Sequence, residues 1–202
     1  MQQDGMLILV VGASGAGKDT LINGAREMLA DDFPFMFPRR LITRPEDSDG
    51  EPHIAISASE YEDGVTLNMF ALHWRAHGLC YGLPATVHDA LESGRADVVN
   101  VSRTIIGEAV VRFSRVRIIV VEAPGETIAR RLSIRGRENE ADQKARLARG
   151  GYPLPELPDP SVYVRFRNDR PRDVSIAAFA SLLCCLNANA AAADRDRILS
   201  GS

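Results

Sequence analysis

The stretch LILVVGASGAGKDT, Leu7 to Thr20, narrows the folds open to this chain more than any other segment. The apolar run over 6–11 is strand-sized and suits a strand buried on both faces. It leads into Gly12, Ala13, Ser14, Gly15, Ala16, Gly17 and Lys18, which satisfy the pattern G-x-x-x-x-G-K. From Lys18 the apolar residues fall at helical spacing: Leu21, Ile22, Ala25, Met28 and Leu29. A strand, a glycine loop and an amphipathic helix in that order make a phosphate cradle. Small residues let successive backbone N–H groups converge on phosphate oxygens, and the helix start adds the positive end of its dipole. Lys18 then sets an ammonium against the β- and γ-phosphates of a nucleotide such as ATP. Asp19 stands where this pattern ordinarily carries the Ser or Thr hydroxyl that meets Mg²⁺. A carboxylate is also a hard oxygen ligand, so Asp19 is a candidate Mg²⁺ ligand, with Thr20 the alternative hydroxyl. A carboxylate also suits the first helical turn, where the dipole favours negative charge.

Around this motif, strand-like and helix-like runs alternate, which predicts an α/β domain. Helical patterns cover 85–93, 104–111, 126–134 and 173–186, and strand patterns cover 97–101, 116–121 and 162–166. The chain has 202 residues, 45% of them hydrophobic, enough for one domain with a real core. Its net charge of -3 provides no global basic field for nucleic acid. The longest apolar runs are strand-sized, and MQQDG lacks the features of a signal peptide, so neither membrane nor export is expected. Cys80, Cys184 and Cys185 form no metal spacing and no disulfide framework. The adjacent pair lies in the apolar run FASLLCCL and is expected to be buried; a reducing cytoplasm is the expected location.

Two regions break the alternation. Residues 39–64 are rich in charge, Pro and Gly with no strong helix face, and 135–149 are almost entirely polar. Such stretches tend to lie at a functional edge or to form lids. The second region and its approach carry Arg130, Arg131, Arg135, Arg137, Arg146 and Arg149. Phosphoryl transfer needs positive charge around the migrating group, and the planar guanidinium fork grips two oxygens at once. Arg135 and Arg137, flanking Gly136, are the strongest candidates; a solvated helix laced with pairs to Glu138, Glu140 and Asp142 is the plainer reading. The first region offers Arg39, Arg40, Thr43 and Arg44, then Asp47, Asp49, Glu51 and His53. These cations and hydroxyls suit an acceptor phosphate, and the carboxylates suit metal or sugar hydroxyls. Trp74 fits a stacking, core or hinge role, and Tyr81-Gly82 predicts a tight turn near the acceptor. The tail 187–202 is Ala-rich and polar, and is expected to be flexible or to extend the last helix.

Taken together, residues 12–20, TRP at 43–45, DGE at 49–51, YG at 81–82 and RLSIRGRE at 131–138 resemble guanylate-kinase-like proteins in content and order. The resemblance spans roughly residues 6–186. GASGAGKD, FALHWRAHGLCYGLP, VVNVSR and RGRE are similar to the wording of one subfamily, the ribose 1,5-bisphosphate phosphokinases of phosphonate utilisation. It implies a three-layer P-loop fold like that of nucleoside monophosphate kinases, with a parallel sheet of about five strands and helices on both faces. Within a single domain, 1–186, it implies an acceptor-binding insertion over about 36–83 and a lid over about 133–150.

Departures from guanylate kinase bear on the substrate. Where that family reads the guanine edge with a Glu, this chain aligns Leu72, which cannot hydrogen-bond a base. Where the second acidic reader lies, it has Asn100 and Ser102, which with Arg103 suit a small polyhydroxylated, phosphorylated acceptor. The segment after TRP is also shorter and more acidic than in that family. The resemblance implies ATP- and Mg²⁺-dependent phosphorylation of ribose 1,5-bisphosphate to 5-phosphoribosyl 1-diphosphate, by a monomer or homodimer. Lys18, Arg135, Arg137 and Arg146 would act on the transferring group, and the loop residues with Arg131 would hold nucleotide. Arg39, Thr43, Arg44, His53, Tyr81, Asn100, Ser102 and Arg103 would hold the acceptor. A guanylate-type nucleotide kinase and a non-catalytic guanylate-kinase-like interaction module are the alternatives; the retained Lys18 and RGR segment speak against the second.

Overall fold

Strand β1 (Met6–Gly12) is buried from Met6 through Val11, and its alternate residues feed two different cores. This is the consequence of a period-two strand covered on both faces. The computed structural model describes residues 5–29, 34–46, 52–134 and 153–200. After β1 come α1 (Lys18–Met28), β2 (Phe35–Met36), β3 (Leu41–Ile42), β4 (Ile54–Ala55), α2 (Ala58–Thr66), β5 (Phe70–Ala76) and β6 (Leu79–Pro84). They are followed by α3 (Val87–Glu92), β7 (Ala96–Asn100), α4 (Ile106–Arg112), β8 (Val116–Glu122), α5 (Gly125–Ile134), β9 (Tyr163–Arg167) and α6 (Arg172–Ser200).

Five strands form a wholly parallel sheet in the order β2-β7-β1-β8-β9. Leu7, Leu9 and Val11 face a core closed by α4 and by residues of β5 and β6, including Leu72, Trp74 and Leu83. Met6, Ile8 and Val10 face α1 and α6, through Leu21, Ile22, Ala25, Ile176, Phe179 and Leu183. The α/β three-layer architecture implied by the sequence resemblance is therefore present, with five strands and helices on both faces. Parallel register brings the carboxyl ends of β1, β7, β8 and β9 to one edge, because Val10 lies beside Asn100, Gly12 beside Val121 and Glu122 beside Arg167. Open parallel sheets bind ligands at that edge.

A second, mixed sheet of four strands, in the order β4-β3-β6-β5, occupies the region 41–84. One face of its hairpin packs Phe70 and Cys80 on Tyr61 of α2. The other face, with Leu72, Trp74 and Leu83, joins the core on the parallel sheet. Arg112 of α4 pins the hairpin by donating to the Ala71 carbonyl at 2.9 Å. Helix α2 arises where the sequence pattern predicted no strong helix face. Ser57 accepts from the Glu60 N–H while Glu60 accepts from the Ser57 N–H, a closed capping box.

The Cys184–Cys185 pair, expected to be buried, is exposed, and of the three cysteines only Cys80 is buried. On α6 the inward positions are Ile176, Phe179, Ala180 and Leu183, a spacing that turns the next two residues away from the core. The helix runs on to Ser200, through most of the Ala-rich tail. No helix among the described residues is long and apolar enough to cross a membrane.

Candidate active site

The phosphate loop leaves β1 at Gly12 and enters α1 at Lys18. At Gly12 a Cβ would lie 2.4 Å from the Val121 carbonyl oxygen, so only glycine lets the loop leave the sheet this close to β8. At Gly17 the backbone is left-handed (φ 92°) and this residue precedes α1 without a side-chain cap. The first N–H groups of α1 therefore face the loop with no capping oxygen from Gly17, which favours an anionic ligand there. Lys18 folds back across the loop and donates through Nζ to the carbonyls of Gly12 and Ala13 at 3.0 and 3.1 Å. Ala13, Gly15, Asp19 and Thr20 are half-buried around it, Ser14 is exposed and Ala16 is buried.

Asn100, the last residue of β7, donates from Nδ2 to Asp19 Oδ1 at 2.7 Å. The contact follows from the register that sets Asn100 beside Val10, two residues before the loop begins. It fixes one carboxylate oxygen of Asp19 and leaves the other oxygen able to serve a ligand. Asp19 and Thr20, one carboxylate and one hydroxyl in the first helical turn, are a donor set that fits Mg²⁺. That ion typically takes one or two protein oxygens alongside waters and substrate phosphates. Asn100, expected to meet the acceptor, thus also touches the loop through Asp19.

Arg131, expected at the nucleotide, lies on α5 with its guanidinium under the loop. It donates to the Ala16 carbonyl at 3.1 Å and to the Asn168 carbonyl at 3.4 Å. Burial, reinforced by the neighbouring charge of Arg130, lowers its pKa. Asn168 donates from Nδ2 to the same Ala16 oxygen at 2.7 Å and is 4% exposed. No local sequence pattern marks Asn168, since its partner is 152 residues away.

Among the residues expected at the acceptor, the pleat of the chain entering β3 separates two adjacent arginines. Arg39 is exposed, whereas Arg40 is 8% exposed, on the same side as buried Ile42. Arg40 lies 5.3 Å from the ring of Tyr81 and 6.0 Å from that of Trp74. Those two rings stack at 5.3 Å with an interplanar angle of 3°. Aromatic faces hold a guanidinium by cation–π attraction, worth roughly 0.5–2 kcal/mol. Arg44 is half-buried, and its Nε is buried without a hydrogen-bond partner. Thr43 uses its hydroxyl oxygen to accept from the Cys80 N–H at 2.8 Å, tying β3 to β6. His53 is 2% exposed with Nε2 3.2 Å from the Arg44 carbonyl, so it braces the main chain there. Ser102 caps the short helical turn Arg103–Ile105 by accepting from Thr104, and Arg103 is half-buried beside it. Leu72 is fully buried against the parallel sheet, in the core rather than on a base-reading surface. Arg135, Arg137 and Arg146, and with them Asp47, Asp49 and Glu51, lie outside the described residues.

A third feature sits toward the amino end of β7. Asp97 is 1% exposed and neither carboxylate oxygen has a hydrogen-bond partner. Burial pushes its pKa up to about 6, with the charge of Arg95 opposing. It pairs in register with Leu7, five residues before Gly12, and so is remote from the loop.

No family model matches the chain. It is 46% identical to the ribose 1,5-bisphosphate phosphokinase of Methylobacterium radiotolerans, over 73% of this chain and 83% of that protein. The same identity links it to the ribose 1,5-bisphosphate phosphokinase of Acidiphilium cryptum, over 76% of this chain and 82% of the relative. A bifunctional ribose 1,5-bisphosphokinase-thymidine phosphorylase of Cupriavidus pinatubonensis is 40% identical over 91% of this chain, which spans 30% of that longer protein. Among solved structures, the guanylate kinase of Anaplasma phagocytophilum superposes with a TM-score of 0.61 at 13% identity, covering 92% of this chain and 88% of the other. That likeness is one of fold. The identities and their coverage place the chain more narrowly: it belongs to the ribose 1,5-bisphosphate phosphokinase family.

Proposed function

We propose that this protein transfers the γ-phosphoryl group of ATP to the 1-phosphate of ribose 1,5-bisphosphate, giving ADP and 5-phosphoribosyl 1-diphosphate. The observation that carries this reading is the buried Arg40 guanidinium on the Trp74–Tyr81 stack. It supplies charge for a phosphorylated acceptor, and neither β5 nor β6 contains a carboxylate to read a base. Arg44, with its unpartnered buried Nε, adds a second cation on the same strand connection. The lack of a carboxylate on β5 and β6 is what disfavours the guanylate-type alternative. A non-catalytic module has no need of the intact Lys18 loop.

An oxygen of the acceptor 1-phosphate attacks the γ-phosphorus, and the bond from γ-phosphorus to the bridging β-oxygen breaks as ADP leaves. The attacking oxygen is already anionic at neutral pH, so no dedicated general base is required. Lys18 exchanges its carbonyl partners for β- and γ-phosphate oxygens, and the loop N–H groups hold the β-phosphate. Arg135, Arg137 and Arg146 place positive charge between donor and acceptor, an assignment that rests on their sequence motif. When bound, Mg²⁺ neutralises charge on the β- and γ-phosphates. Asp19, held by Asn100, with Thr20 would hold it.

The direct test is to incubate the purified protein with ATP, Mg²⁺ and either ribose 1,5-bisphosphate or GMP, and to identify the products. ADP and 5-phosphoribosyl 1-diphosphate are expected from the sugar bisphosphate. Rapid ADP release with GMP, and none with the sugar bisphosphate, would overturn the reading.

A further inference from the structure

The Ala16–Gly17 peptide is gripped from outside the loop. Its carbonyl oxygen accepts from Asn168 Nδ2 at 2.7 Å and from Arg131 Nη1 at 3.1 Å. A Cβ on Gly17 would lie 2.5 Å from Asn168 Nδ2 and 3.3 Å from Arg131 Nη1, so the loop rests against both side chains. Asn168 is itself anchored, because its N–H donates to the Glu122 carbonyl at 2.7 Å, extending the β8–β9 ladder by one residue. At 4% exposure the carboxamide is enclosed behind the loop and acts on Ala16 rather than on a ligand.

A trans peptide is planar, with its C=O and N–H pointing in opposite directions. Fixing the Ala16 oxygen toward Asn168 therefore turns the Gly17 N–H toward the opposite side, the concave side of the loop. Gly17 has no side-chain cap of its own and a left-handed backbone, so its conformation is otherwise weakly determined. We infer that Asn168 is a positioning residue for the phosphate loop: with Arg131 it clamps the Ala16 carbonyl and so aims the Gly17 N–H at the nucleotide phosphates. The inference rests on the reading of the loop as a nucleotide site, but not on the identity of the acceptor.

The test is ADP binding to the full chain by calorimetry, with Asn168→Ala, Arg131→Met and the double variant. Asn168→Ala should weaken ADP binding roughly tenfold. In steady state it should raise KM for ATP and leave KM for the acceptor within twofold. Because both side chains act through one oxygen, the double variant should lose less than the product of the two single losses. Unchanged ADP affinity in a folded Asn168→Ala protein, or fully multiplicative losses, would overturn the inference. If Asn168→Ala fails to fold, the carboxamide protons of Asn168 are followed by NMR in the wild-type protein. They should exchange slowly with solvent and shift when ADP is added, and the absence of a shift would overturn it as well. A wild-type protein that binds no ADP would instead refute the nucleotide reading itself.

Discussion

The parallel sheet and the mixed sheet organise charge by different means. At the carboxyl edge of the parallel sheet, the loop is shaped by hydrogen bonds to main-chain atoms: Lys18 to Gly12 and Ala13, Asn168 and Arg131 to Ala16. Its polar groups are fixed by the protein's own hydrogen bonds. In the mixed sheet, β3 and β4 are two residues long, and the Arg40 cation lies against the rings of Trp74 and Tyr81. A half of this kind is specified by a few side chains. Donor binding should therefore be set by backbone geometry common to many nucleotide kinases. Acceptor choice should turn on single substitutions at Arg40, Arg44, Trp74 and Tyr81.

The strongest test of the donor half is Lys18→Ala. Turnover should fall at least about 10³-fold with the fold intact, measured by ADP release and circular dichroism. A smaller fall would mean that the backbone alone carries the donor site. On the acceptor side, Arg40→Met keeps the stem and removes the charge. KM for ribose 1,5-bisphosphate should rise roughly 10–100-fold while KM for ATP stays within twofold. Equal changes in both constants would erase the division between the halves. Asn100→Ala releases Asp19 and should raise the Mg²⁺ concentration needed for half-maximal activity roughly tenfold, read from titrations at fixed ATP. No change would show that the Asn100–Asp19 bond serves the fold alone.

The smallest effect on activity is expected at Asp97, which belongs to neither site. Its folded pKa, raised to about 6 by burial, lies above the ordinary carboxylate value of 3.8. The folded state therefore prefers the protonated form, and this residue erodes stability as pH rises from about 4 through 6. Asp97→Asn should remove that erosion and stabilise the protein at pH 8 by roughly 1–3 kcal/mol in urea unfolding, with turnover unchanged. Equal unfolding midpoints for the two proteins at pH 5 and pH 8 would contradict the assignment.

How far the sequence reveals these features depends on the length over which each is encoded. Strands β1, β7 and β8 are runs of five to seven residues buried on both faces, and the glycine spacing of the loop is local, so both could be read directly. The two-residue strands of the mixed sheet are too short to carry a period. Telling buried Arg40 from exposed Arg39 requires the register of β3, which its pairings with β4 and β6 define. Helix α2 went unread: its one sequence signal, the Ser57–Glu60 capping box, is four residues long and sits in a stretch whose charge and glycine content suggested a functional edge or lid. Asn168 illustrates the opposite case, since nothing near it in sequence points to Ala16.

The bonds from Lys18 to the Gly12 and Ala13 carbonyls also bear on what the loop will ignore. An incoming anion must compete for an ammonium already engaged, so binding is an exchange of partners. A polyphosphate offers several oxygens at once, to Lys18 and to the row of backbone N–H groups beyond it. Orthophosphate, abundant in cells, offers a single tetrahedron and must displace the same two carbonyls for less return. If these contacts set a threshold, orthophosphate at millimolar concentration should compete weakly against ADP for the loop, a result calorimetry would read directly.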